Sequence, residues 1–206
     1  MGDHRPRLLP YRYYNATIGI IVVSVIAFFV ASTDRSLLGT LALQRAVLGE
    51  RLWTPITYLF VHAPGGLFST HLLFNMLGLY WFGTPVERSI GSSEFLWLYL
   101  GAGIAAGLVA IAPAGATAVI GASGAVFAVM VVYATLFPDA TIVLFFIVPL
   151  RAPVAVLVFA VISVLFSVGG GQPGISHLAH LAGLVAGGLY CYLRLRRNPI
   201  ESFFRR

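Results

Sequence analysis

Apolar runs long enough to cross a lipid bilayer recur along this chain, and they constrain its fold more than any other feature. A spanning helix takes about 20 mostly apolar residues, within a range of about 17–25. Six candidate runs lie at about residues 14–31, 70–86, 94–112, 119–137, 152–168 and 175–193. Charged residues make up only 10% of the 206 and hydrophobic ones 59%, whereas a soluble domain carries about 25% charged residues. So little charge cannot cover a surface facing water, so lipid must solvate much of it. Nothing alternates at period two like a barrel strand. Backbone in lipid must satisfy its own hydrogen bonds, so the spans are expected to be helices. The chain reads as one all-α membrane domain over 1–206, with short basic tails at about 1–13 and 194–206.

Orientation follows from the basic residues, all thirteen of which are Arg. With the N-terminus inside, Arg5, Arg7, Arg12, Arg88, Arg151, Arg194, Arg196, Arg197, Arg205 and Arg206 are cytoplasmic. Only Arg35, Arg45 and Arg51 then lie outside. That asymmetry predicts both termini in the cytoplasm and an even number of spans. It also accounts for the net charge of +6 without a nucleic-acid partner. The first run is read as a retained span, because it is longer than the apolar core of about 7–15 residues in a signal peptide. Cys191 stands alone, so no internal disulfide can form. The Arg-only basic content suggests a GC-rich prokaryote, and hence a multi-pass protein of the plasma membrane.

Connections differ in character. The long external segment at about 32–69 holds Leu41, Leu43, Trp53, Tyr58 and Phe60, so it is expected to fold on or into the interface rather than stay flexible. The stretch from 141 to the fifth span, broken by Pro149, Arg151 and Pro153, reads as an interfacial loop. The external GGGQPG at 169–174 fits a plain turn and a mobile lid equally.

Polar side chains inside spans are costly, and a functional or partnered role is their default reading. The candidates are His71, Asn75, Ser123, His177 and His180, with Glu87 and Arg88 read as a solvated helix end. Spans two, four and six all enter from the external side. His71 and Asn75 lie in the first turns of span two, and Ser123 and His180 about one turn into spans four and six. At about 1.5 Å of rise per residue, all sit at one shallow depth. His71 and Asn75, four apart, share a helix face. His180, Gly183 and Gly187 share a stripe, and span four offers Gly121, Gly124, Ala125 and Ala128 as a facing small surface. Close approach of two such stripes would bring Ser123 within reach of His180.

A serine hydroxyl is a weak nucleophile until a neighbouring base takes its proton, and neutral imidazole can do so near pH 7. No Asp falls in any expected span and Glu87 lies at the opposite end, so the unit would be a Ser–His dyad. Donors for the oxyanion would be His71, Asn75 and the Ser123 N–H. Zinc on His177 and His180 is disfavoured by the lack of HExxH and of a carboxylate at that depth, so no metal or cofactor is expected. His62 reads as a loop or interface contact. Two other functions are open to a bundle of this kind. A client-binding protein would be expected to have lost the Ser or the His, and both are present. A transporter or channel would carry internal repeats or a polar line across the full depth, and neither is found.

The stretches YLFVH at 58–62, HLLFNMLGLYWFG at 71–83, ERSIGSS at 87–93, GASGAVFAV at 121–129 and SHLAHLAGLVAG at 176–187 together resemble the rhomboid family of intramembrane serine proteases. The likeness covers about 14–193 and implies a six-helix rhomboid-like bundle. It implies Ser123 as nucleophile and His180 as base, with His71 and Asn75, supported by Gly121, around the oxyanion. Phe127 matches an aromatic position that packs on the catalytic His. The likeness also gives GGGQPG a lid role, makes Phe74 a candidate gate residue, and implies single-span membrane proteins as substrates. One departure is visible: the family's external Trp-Arg pair reads Trp53-Thr54 here, with Arg51 in a different register.

Overall fold

The computed structural model describes residues 10–64, 69–113, 118–144, 147–168 and 176–204. The first apolar run forms α1 (Ala16–Thr33), followed by α2 (Arg35–Leu41), a two-residue strand β1 (Leu43–Gln44) and the short α3 (Thr54–Thr57). The second run is one continuous helical rod made of α4 (Thr70–Gly78), a π-turn (Leu79–Gly83) and α5 (Thr84–Ile90). Gly91, at φ 90°, ends it and lets α6 (Ser92–Ala110) start at once. Then come β2 (Ala118–Val119), α7 (Ser123–Leu136), β3 (Thr141–Leu144), β4 (Val148–Arg151), α8 (Ala152–Val168), α9 (His177–Leu193) and α10 (Pro199–Phe204).

The fold is mostly helical, and α7 is its centre. Gly124, Ala125, Ala128, Val129, Met130, Val131, Val132 and Ala134 are buried around its whole circumference. A helix apolar on every side belongs inside a bundle, and α7 packs against α4, α5, α6, α8 and α9. By contrast, α1 leaves Ile18, Val22, Val23, Ile26, Phe29 and Val30 exposed, and α8 leaves Val154, Leu157, Val161 and Leu165 exposed. Such apolar outer faces suit lipid contact. Among the described residues two helices, α1 at 18 residues and α6 at 19, are long and apolar enough to cross a membrane by themselves.

Three expectations change. The 141–151 stretch is not an open loop: Thr141 pairs with Arg151 and Val143 with Pro149 in an antiparallel ribbon. Proline is tolerated there because each strand of a two-stranded ribbon has a free edge. The C-terminal tail from about 194 includes a helical turn, α10, packed against α7 and α9. Most important, Glu87 is not solvated; it is 1% exposed. Its carboxylate accepts hydrogen bonds from the Ala16 N–H at 2.6 Å and the Thr17 N–H at 2.9 Å, and from the Ser92 hydroxyl. Asn15, just before α1, makes no side-chain cap, so a carboxylate from the α5 end caps α1 instead. A negative group at a helix N-terminus also meets the positive end of the dipole.

This cap predicts a stability effect. Glu87→Ala should destabilise the protein by about 2–4 kcal/mol, since each buried donor left without an acceptor costs about 1–3 kcal/mol. Arg88→Ala, next door and exposed, should change stability by less than about 0.5 kcal/mol. Thermal unfolding of the two variants in the same detergent checks this; equal midpoints would remove Glu87 from the role.

Candidate active site

Ser123 is the first residue of α7, not one turn inside it as the apolar run suggests. The reason is Gly121, whose φ of 105° no other residue adopts without strain. Its N–H is donated to the Tyr58 carbonyl at 2.9 Å, and just upstream Val119 pairs with Leu43. The chain therefore enters α7 as a strand tied to the external segment, turns at Gly121, and becomes helical at the serine. The first turn of an α-helix has N–H groups without intrahelical acceptors, so Ser123 sits where the backbone is electropositive.

His180 lies one turn into α9, which starts at His177 behind a Ser176 cap. Its Nε2 is 2.9 Å from the Ser123 Oγ. The Phe127 ring, one turn further along α7 from Ser123, stacks on the His180 imidazole at 4.4 Å with 10° between planes. Behind it Phe159 of α8 meets Phe127 edge-on at 5.9 Å. The buried His177 also meets His180 edge-on, at 5.6 Å. The imidazole is thus oriented by ring packing.

Glycines set that approach. A Cβ on Gly183 would collide with the Gly124 carbonyl oxygen, and one on Gly187 would lie 2.5 Å from the Ala128 carbonyl oxygen. A Cβ on Gly124 would lie 2.6 Å from the Ala106 Cβ of α6 and 3.2 Å from the Ala179 carbonyl oxygen of α9. Helices α7 and α9 therefore meet backbone to backbone beside the Ser123–His180 pair.

From α4 come His71 and Asn75. The His71 ring lies against Gly121, where an added Cβ would sit 2.6 Å from Nε2. Asn75 is buried and donates through Nδ2 to the His71 carbonyl at 2.8 Å, leaving its second amide N–H for another acceptor. Phe74, between them, is 61% exposed on the outside of the bundle. The 169–174 segment lies outside the described residues.

For some residues named from sequence, the role at or around the site is not apparent from it. His62 is 1% exposed, and its ring meets His71 edge-on at 5.2 Å. Burial, and secondarily His71, push its pKa down to about 4, so it is neutral. Tyr58, besides holding Gly121, donates its hydroxyl to the Gly103 carbonyl at 2.5 Å. Trp53 donates to the Thr40 carbonyl at 3.1 Å and Arg51 to the Gly39 carbonyl at 2.9 Å, so arginine two residues before the tryptophan still ties the external segment together. A separate groove of about 240 Å³ between α6 and α9, lined by Trp97, Gly101, Ala186 and Tyr190, includes neither Ser123 nor His180.

These elements form a helical bundle that joins a helix-initial serine to an imidazole from a second helix. Among known protein families, the Rhomboid domain model matches residues 49–197. This chain belongs to the rhomboid family, a membrane-embedded family. It is 33% identical over 166 residues to RHOMBOID-like protein 12, mitochondrial, of Arabidopsis thaliana, covering 72% of this chain and 48% of that protein. It is 39% identical over 132 residues to Rhomboid protein 1, mitochondrial, of Saccharomyces cerevisiae, covering 58% and 36%. It is 32% identical over 159 residues to Rhomboid protease GlpG of Haemophilus influenzae, covering 74% and 76%. The matched stretch is thus half or less of the two mitochondrial relatives and about three quarters of the bacterial one.

Proposed function

We propose that this chain is an intramembrane serine endopeptidase that hydrolyses peptide bonds in or near transmembrane segments of membrane proteins through a Ser123–His180 dyad. The observation that carries the reading is the 2.9 Å contact between the His180 Nε2 and a Ser123 Oγ placed at a helix N-terminus. The protease name of the Haemophilus influenzae relative supports it.

In the first step His180 Nε2 takes the Ser123 proton as Oγ attacks the scissile carbonyl carbon. The oxyanion forms beside the Ser123 N–H and the side chains of His71 and Asn75. Collapse expels the amine, which receives the proton from His180 and leaves an acyl ester on Ser123. Water then attacks the ester with His180 again as base, releasing the acid and restoring the serine.

The membrane arrangement is part of this reading. Six helical segments (α1, the α4–α5 rod, α6, α7, α8 and α9) would cross the bilayer as one domain, with both termini cytoplasmic, in a prokaryotic plasma membrane. At 14 residues, α7 is about 21 Å long, shorter than the hydrocarbon thickness of about 30 Å. With its Leu136 end at the inner interface, its Ser123 end is recessed beneath the outer one, where water can reach it from outside. Phe74, exposed on α4, is the candidate gate residue for substrate arriving from lipid.

The test is cleavage of a model single-span substrate by the purified protein in vesicles. Two fragments on a gel are the expected result. Intact substrate that co-purifies with the protein would instead make it a binding protein, and solute flux without cleavage a transporter. A further expectation concerns the oxyanion: Asn75→Ala should lower kcat by about 10²–10³-fold, the typical loss of one such donor. KM should change little. A fall confined to KM would remove Asn75 from that role.

A further inference from the structure

The backbone just before α4 determines which proton His71 carries. The Ala63 N–H donates a hydrogen bond to the His71 Nδ1 at 3.2 Å. A donor can point only at a lone pair, so this nitrogen is unprotonated, and a neutral ring must then carry its single proton on Nε2. That nitrogen is the one lying over Gly121, on the chain entering Ser123.

The donor is itself held. The Ser69 hydroxyl donates to the Ala63 carbonyl at 2.7 Å and accepts from the Leu72 N–H at 3.4 Å, in the first turn of the helix that bears His71. The buried His62 ring adds a wall beside the His71 imidazole. Loop and helix thus form one hydrogen-bonded unit around Nδ1, and only Nε2 is left to face the site.

His180 needs the opposite arrangement. To accept the Ser123 proton its Nε2 must present a lone pair, so a neutral His180 carries its proton on Nδ1. Resting on the protease reading above, we infer that Ala63 is a positioning residue whose backbone N–H locks His71 as the neutral Nε2–H tautomer. The site then holds two neutral histidines in opposite tautomers. One donates toward the oxyanion, and the other accepts from the nucleophile. Because the locking group is main chain, most side-chain substitutions at this position keep it. Proline removes it.

The experiment is ring nitrogen-15 NMR of the full-length protein in detergent at neutral pH. Histidine is isotopically labelled, and His71 is assigned by its loss in His71→Asn. The expected His71 spectrum has a pyridine-type Nδ1 and a pyrrole-type Nε2. A coupling across the hydrogen bond between the Ala63 amide nitrogen and Nδ1 should accompany it. Ala63→Gly, which keeps the N–H, should leave these signals in place. Ala63→Pro should shift them toward exchange-averaged values and lower kcat by about two- to tenfold, the range that one net hydrogen bond spans, with KM little changed. A pyrrole-type Nδ1, a cationic ring, or no coupling in the unmodified protein would overturn the inference without any variant. An Ala63→Pro protein with unaltered His71 signals and kcat would overturn it too. The spectrum needs no turnover, so a locked His71 in a protein that cleaves nothing would sink the protease reading alone.

Discussion

Replacement of Ser123 by Ala is expected to lower turnover of a single-span substrate by at least about 10⁴-fold, as loss of a nucleophile does in serine hydrolases. His180→Ala should fall to a similar floor, and the double variant no further, because the two groups act as a unit. The hydroxyl is the atom that forms the ester, and neither His177 nor His62 can replace it as nucleophile. A serine-directed fluorophosphonate should modify the unaltered protein at Ser123 and give no signal with Ser123→Ala. Mass spectrometry of the labelled peptide distinguishes this from surface modification. Adduct on another serine in place of Ser123, or labelling that persists in Ser123→Ala, would mean that the 2.9 Å contact between Oγ and Nε2 is only a partly buried hydrogen bond between packed helices.

Much of this architecture is legible in the sequence because the bilayer leaves the chain few choices. An apolar run of about 20 residues has to be helical in lipid. The expected runs accordingly coincide with helices, except where local chemistry moves an end. Gly121 shows why ends move. A propensity argument carries span four back to 119, yet the positive φ at 121 and the pairing of Val119 with Leu43 delay the helix to Ser123. Neither the partner strand nor the backbone angle is written in residue types.

Glu87 fails for a related reason. A carboxylate at the end of an apolar run looks solvated until the neighbouring helix start is known, and here that start is α1, some seventy residues earlier in the chain. The polar residues of the site are easier to find, because each is expensive in lipid and so stands out. His62 and Ala63 are harder. The first lies in a segment without helical periodicity, and the second contributes only its peptide N–H.

The second large effect is expected at Gly183, and it tests whether the site depends on helix spacing. A methyl group there would run into the Gly124 carbonyl oxygen and lie 2.9 Å from its carbon and 3.1 Å from its Cα. Every one of those atoms is backbone, so no side chain can rotate away, and α9 must move off α7. Gly183 is one turn from His180, so an ångström of separation there carries the imbalance directly to Nε2. Misplacement on that scale costs about 10²-fold in rate, and overpacking adds a stability loss of about 1–3 kcal/mol. Gly183→Ala should therefore show both, measured as kcat on the single-span substrate and as the unfolding midpoint. Gly188→Ala is the comparison: on the same helix, no atom beyond its own stretch of helix lies within 4 Å of the added carbon. It should keep its activity and match or exceed the parent in stability, since Ala is favoured over Gly in a helix by about 1 kcal/mol. If Gly183→Ala instead behaves like Gly188→Ala, the glycine stripe is not what holds serine and histidine in register.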